Sequence, residues 1–162
     1  MKPAIRITNA TEDDVPLILR FIRELAEYEK LSHACVASEE LIRASLFGKT
    51  RHAEALVARY GDEPAGFAIF FHNFSTFLAR PGMYLEDLYV VPTLRGKGIG
   101  RKLLSRVAQI AKERKCGRLE WAVLDWNAPS IAFYKKLGAV PLEDWTVFRM
   151  TGRSLDDLAS MK

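Results

Sequence analysis

Cysteine is scarce in this chain: Cys35 and Cys116 are the only two among 162 residues. They lie far apart and show neither a C-x-x-C pair nor any other metal or redox spacing. A cysteine-ligated metal site and a multi-bridge disulfide framework are therefore excluded as organising principles, and a single Cys35–Cys116 bridge is the minor alternative. Two reduced thiols in a cytoplasmic protein are the expectation. The three histidines, His33, His52 and His72, do not cluster either, and no metal is expected. No apolar run approaches the roughly 20 residues of a membrane span, and the first residues alternate polar and apolar without the apolar core of a signal peptide. Repeats, low-complexity tracts and linkers are missing too, so residues 1–162 read as one domain with room for a hydrophobic core. The net charge is +4, yet no basic run is interleaved with aromatics as single-strand nucleic-acid binders require. Much of the positive charge instead collects at and after one glycine turn: Arg95, Lys97, Arg101, Lys102, Arg106, Lys112, Arg114 and Lys115. A nucleic-acid or membrane partner is not expected.

What is present is a regular alternation of helical and strand patterns. Ile5 and Ile7 begin a strand. Thr11, followed by Glu12, Asp13 and Asp14, caps a helix whose apolar stripe runs from Val15 through Ile18, Phe21, Ile22, Leu25 and Ala26 to about Tyr28. Ser38-Glu39-Glu40-Leu41 opens a shorter helix. Residues 53–60 and 65–72 read as antiparallel strands joined by the turn at Gly61, and residues 84–91 as a third strand stopped by Pro92. Ile99, Leu103, Leu104, Val107, Ala108 and Ala111 mark a helix. Residues 118–123 predict a strand, Pro129 or Ser130 to Gly138 a helix, residues 146–150 a last strand, and Ser154 onward a short terminal helix. The order predicts an α/β fold with a mixed, mostly antiparallel central sheet flanked by helices.

Arg95-Gly96-Lys97-Gly98-Ile99-Gly100, between a strand and a helix, carries the strongest chemical signal. Backbone N–H groups converge there and the helix dipole adds partial positive charge, while glycines let a diphosphate come close. A nucleoside-triphosphatase loop would need Gly-Lys-Ser/Thr after the turn, but Lys97 stands between Gly96 and Gly98. A dinucleotide fingerprint would need a small residue at position 101, which is Arg. Arg95-x-x-Gly98-x-Gly100 instead resembles the pyrophosphate loop of GNAT-type acetyltransferases. Downstream, Asn127-Ala128-Pro129-Ser130-Ile131-Ala132-Phe133-Tyr134 is similar to a second element of that superfamily. Ser130 and Tyr134 share a helix face. A buried core tyrosine with a satisfied hydroxyl is the competing reading of Tyr134.

Across nearly the whole chain the resemblance narrows to the spermidine/spermine N-acetyltransferases and their thialysine-acetylating relatives. It is carried by Glu24-Leu25-Ala26-x-Tyr28-Glu29, Tyr84-Leu85-Glu86-Asp87, the glycine turn, and Trp126-Asn127-x-Pro129-Ser130. Leu88-Tyr89 departs from a Phe-Phe pair, and the tail is less similar. The resemblance implies acetyl-CoA as co-substrate, held by Leu88, Tyr89 and Val90 through backbone groups, by Arg95, Gly96, Lys97, Gly98, Ile99, Gly100 and Arg101 at the pyrophosphate, and by Asn127, Ala128, Pro129, Ser130 and Lys136. It implies a small-molecule amine, a polyamine or a relative of one, at Tyr28, Glu29 and Glu86, and a homodimer. Thialysine, another small amine or a protein lysine or N-terminus remain alternative acceptors, and an acyl-CoA-binding regulatory module is the non-enzyme alternative.

An alkylammonium with pKa near 10.4 must lose a proton before it attacks a thioester. Glu86 is the candidate that binds the cation and relays that proton through water; a buried strand carboxylate satisfying backbone groups is the plain alternative. Asp87 points to the opposite face by strand alternation, unless a bulge alters the register. Tyr134 is the candidate acid for the leaving thiolate. Neither cysteine sits beside a recognisable base, so direct attack in a ternary complex is expected rather than an acetyl-cysteine.

Overall fold

The computed structural model describes residues 3–161. It divides into two compact units, Met1–Ala122 and Val123–Lys162.

The first unit is built on a sheet of order β1-β2-β3-β4-β5. Its strands are β1 (Ile5–Asn9), β2 (Glu54–Tyr60), β3 (Glu63–Ser75), β4 (Arg80–Val90) and β5 (Leu119–Glu120). The first four pair antiparallel, and β5 joins β4 in parallel. The sheet is thus open, mixed and mostly antiparallel. Helix α1 (Val15–Tyr28) follows a short 3-10 turn at Glu12–Asp14. Thr11 N–H donates to Asp14 Oδ2 at 2.9 Å, and Asp14 Oδ1 accepts from Arg59 at 3.0 Å, which ties the start of α1 to β2. The apolar stripe of α1 is buried at Val15, Ile18, Leu19, Phe21 and Leu25. With Ile42 and Leu46 of α2 (Glu39–Phe47) it packs on Ala55, Phe67, Ile69 and Tyr89 of the sheet. Helix α3 (Ile99–Glu113) buries Ile99, Leu103, Leu104, Val107, Ile110 and Ala111 and packs on β3 and β4. Alternate strand residues feed the two helical layers, as the two-residue period of a strand requires.

The β3–β4 hairpin runs several residues beyond the sequence expectation, to Ser75 and back from Arg80. The strand expected over 118–123 is only Leu119–Glu120.

In the second unit, α4 (Ala128–Lys136) and α5 (Gly152–Ala159) form close to where the sequence places them. The strand expected over residues 146–150 does not form. A strand persists only with a hydrogen-bonded neighbour, and among the described residues none pairs with this segment. Val147 and Phe148 are exposed, Phe148 at 91 %. No described helix is long and apolar enough to cross a membrane.

Candidate active site

The chain leaves β4 at Val90, turns through Pro92–Leu94 and enters α3 at Gly98. Gly96 has φ +77° and Gly98 φ +88°. A side chain at either would meet open space, so conformation rather than crowding demands glycine. Gly98 N-caps α3 without any side-chain capping bond. The first N–H groups of the helix thus receive no capping bond from the N-cap residue, and the positive dipole end lies behind them. Gly96, Lys97 and Lys102 line a cleft of about 440 Å³ with Pro3, Ala4, Ile5 and Tyr60, and Lys97 Nζ lies 5.2 Å from the Tyr60 ring centroid. Among the described residues no carboxylate lines this cleft. Ile99 is buried in the core, while Gly100 and Arg101 complete the first turn of α3. Arg95 is engaged by protein: its Nε donates to Val90 O at 3.0 Å, and its guanidinium lies 4.6 Å from the Tyr28 ring centroid and 5.9 Å from that of Tyr89.

The outer edge of β4 matters equally. β5 pairs only with Met83 and Tyr84. From Leu85 to Val90, including Leu88, Tyr89 and Val90, no described strand takes that edge. Its N–H and C=O groups are a template for an extended chain carrying amides.

On its inner edge β4 carries a bulge. Ile69 pairs with Asp87 and Phe70 with Leu85, which leaves Glu86 as the extra residue. Strict alternation would put Leu85 and Asp87 on one face. The inserted residue instead sets Leu85 with Phe70, and Asp87 with Ile69, Phe67 and Tyr89 on the side covered by α1. Plain alternation, which would set Asp87 on the face opposite Glu86, does not hold, because the bulge alters the register: Asp87 is partly buried, Glu86 is exposed at the bulge, and the charge of Glu86 reaches Asp87. Burial, then the charge of Glu86, then that of Glu29, push the Asp87 carboxyl up to about 7. Burial also raises Glu29, the C-cap of α1. A carboxylate trio of Asp87, Glu29 and Glu86 thus lies at one end of α1, next to Tyr28.

Tyr89, 4 % exposed, donates its hydroxyl to Glu24 Oε2 at 2.9 Å. Burial, then this bond, hold its phenol at about 12. Glu24 also pairs with Arg20 at 3.4 Å. In the sequence alone Glu24 reads as helix face and Asp87 as the weaker carboxylate. Glu24 and Tyr28 are one helical turn apart and share a face, which is the signal that points to the first. The bulge that brings in Asp87 has no local signature.

In the second unit, Asn127 is 5 % exposed and its Oδ1 accepts from Ser130 N at 3.3 Å, capping α4. Ala128 and Pro129 form the first turn. Tyr134 is half-buried, one turn after Ser130, with its ring 5.3 Å from that of Phe133. Lys136 is exposed in the last turn. Among the described residues no group of three or more His, Cys, Asp and Glu is placed to hold a metal.

A glycine turn before a helix, beside a strand edge that no described strand takes, has the chemistry to receive an anion and amides, and residues 20–139 match the Acetyltransferase (GNAT) family. The chain belongs to that family. Family members are acyltransferases that use acetyl-CoA. The chain is 43 % identical over 166 residues to a thialysine N-epsilon-acetyltransferase of Bos taurus, with 96 % of this chain and 97 % of that one covered. It is 32 % identical over 195 residues to an L-ornithine N5-acetyltransferase of Arabidopsis thaliana, covering 93 % and 86 %. Among solved structures, an integron cassette protein from the mobile metagenome of V. cholerae superposes with a TM-score of 0.81 at 28 % identity, covering 97 % and 98 %. The enzyme is an N-acetyltransferase that transfers acetyl groups to amines.

Proposed function

We propose that this GNAT enzyme acetylates the terminal primary amine of a small aliphatic cation, of the thialysine, ornithine or polyamine type, and that its two units serve one catalytic domain. The observation that carries the acceptor reading is the carboxylate trio on one side of β4, anionic in a chain of positive net charge. Local rather than net charge decides which ligand is drawn in. Two relatives named for the side-chain amine of a diamino acid favour an acceptor of that kind. Three carboxylates also suit an acceptor with more than one ammonium, which keeps spermidine and spermine as the second reading.

Acetyl-CoA supplies the acetyl group already activated as a thioester. The residues present fit it: Gly96 to Arg101 bring backbone N–H groups to a helix entry with open space at Gly96 and Gly98, and the Leu88–Val90 edge offers amide partners. Asn127, by capping α4, orders the turn Ala128-Pro129-Ser130, and Lys136 is a candidate for the 3′-phosphate. Tyr28, Glu29, Glu86 and Asp87 hold the ammonium. Asp87, with its carboxyl near neutrality, accepts the amine proton at working pH, alone or through a water shared with Glu86. Tyr134 is the proton donor to the leaving thiolate. Transfer is direct, and an acetylated enzyme accumulating in a rapid-quench burst would overturn that. The enzyme acts in the cytoplasm as a homodimer.

A turnover screen with acetyl-CoA over thialysine, ornithine, lysine, putrescine, spermidine and spermine tests the reading. We expect the highest kcat/KM for thialysine or ornithine, and Tyr134→Phe to lower kcat about 10- to 10⁴-fold in the same assay. A preference for spermidine would reverse the order of the two readings. Tight acetyl-CoA binding with no amine turned over would favour a regulatory acyl-CoA-binding module.

A further inference from the structure

We propose that Tyr89 is a positioning residue for the acceptor carboxylates: its hydroxyl, by donating to Glu24, clamps the part of β4 that carries Asp87 against the part of α1 that leads to Glu29. The inference rests on the acceptor reading above and adds to it the device that holds the cluster together.

β4 is held on one edge only where the chemistry needs it most. The bulge at Glu86 interrupts its ladder with β3, and β5 leaves its other edge after Tyr84. Asp87 keeps Ile69 as its partner on β3, and α1 packs over this face of the sheet and fixes what stands opposite the carboxyl. The Tyr89 ring lies 5.8 Å from that of Phe21 and 6.5 Å from that of Phe67. A phenylalanine would fill this space as well. The hydroxyl adds something packing does not need, since burying it is unfavourable unless it is bonded. It is bonded to a carboxylate, an acceptor that gives one of the stronger hydrogen bonds, across 65 positions of sequence. Glu24 is in turn held by Arg20, and the guanidinium of Arg95 lies over both Tyr89 and Tyr28. The charged groups facing Asp87 are Glu86 from its own strand and Glu29 from α1. Those facing Tyr89 are Glu24 and Arg20 from α1 and Arg95 from the glycine turn. The Tyr89–Glu24 bond thus sets how close Glu29 stands to Asp87, and with it both the grip on the ammonium and the protonation of Asp87.

Loss of the clamp lets the end of α1 move away from β4. Repulsion from Glu29 weakens, and the Asp87 carboxyl titrates lower. In steady-state assays with thialysine and spermidine, Tyr89→Phe and Glu24→Ala are expected to raise the amine KM about 5- to 20-fold. They should change kcat less and move the acid limb of kcat/KM down by roughly half a pH unit. Acetyl-CoA affinity by calorimetry stays within about twofold, because the glycine turn keeps its conformation. Glu24→Gln retains an oxygen that accepts from Tyr89 and restores most of the wild-type KM. An unchanged KM and acid limb in Tyr89→Phe overturns the proposal, as does a Glu24→Gln enzyme as impaired as Glu24→Ala. Carbon-13 titration of the Asp87 carboxyl in wild type and Tyr89→Phe needs no turnover. A downward shift supports the clamp and identical titration curves overturn it, even where the wild type acetylates none of the amines and the acceptor reading itself fails.

Discussion

An aspartate held near neutrality attracts an ammonium in its charged form and keeps the proton it has taken in its neutral form. Asp87 reaches that state through burial and two carboxylate neighbours, the usual route to a general base matched to working pH. Such placement opposes folding. The folded carboxyl titrates at about 7, against 3.8 for an ordinary aspartate. Between the two the folded chain keeps a proton that the unfolded chain has released, so stability falls as pH rises from about 4 to about 7 and is flat beyond. Asp87→Asn removes this slope. Chemical denaturation is expected to show the variant more stable than wild type at pH 8 by roughly 1–4 kcal/mol, with the difference vanishing near pH 4. In amine assays the same variant loses about 10²-fold or more in kcat/KM. A variant equally active, or one with an unchanged stability profile, would place the proton acceptor elsewhere.

At the scale of elements, the strand–turn–helix unit from β4 to α3 depends on one left-handed residue at the helix entry. Gly98 has φ +88°, and a Cβ added there would have nothing within 4 Å, so alanine fits in space and is strained in backbone. That strain is about 1–2 kcal/mol, relieved by rotating the turn and re-aiming the N–H groups of α3. Gly98→Ala is expected to weaken acetyl-CoA binding about tenfold or more by calorimetry while far-UV circular dichroism stays native. Equal affinity would show that the turn tolerates the rotation. This unit was legible in sequence because every part of it is local: an apolar run, a proline stop, spaced glycines and a 3.6-residue stripe. The same holds for α1, α2 and α4. The strand expected over 146–150 fails for the complementary reason, since alternating apolar residues state a preference for an extended conformation and only a neighbouring edge realises it.

At the scale of the molecule, the second unit carries many large apolar side chains in solvent. Val140, Leu142, Trp145, Val147 and Phe148 are all exposed, and apolar groups gathered in this way offer a surface for a partner. The homodimer proposed above would cover such a surface. Sedimentation velocity is expected to return twice the chain mass at micromolar concentration, and Trp145→Asp to shift it toward the monomer. A wild type that sediments at the chain mass throughout would remove the dimer.

The sequence by itself determined the layered α/β class, the order of the helices, the anion-binding turn and the family resemblance. Each is written in residues that interact within a few positions of one another, and periodicity and turn chemistry act at that range. Only the tertiary structure decided which carboxylates meet. The bulge at Glu86 exists because β4 pairs with β3 in one particular register, and it turns Asp87 toward α1 against the alternation of its own strand. Tyr89 finds Glu24 because two elements 65 positions apart pack on one face of the sheet. Donor binding is a property of a local motif and so can be read along the chain. Acceptor chemistry is a property of register and packing, which arise only when distant segments come together.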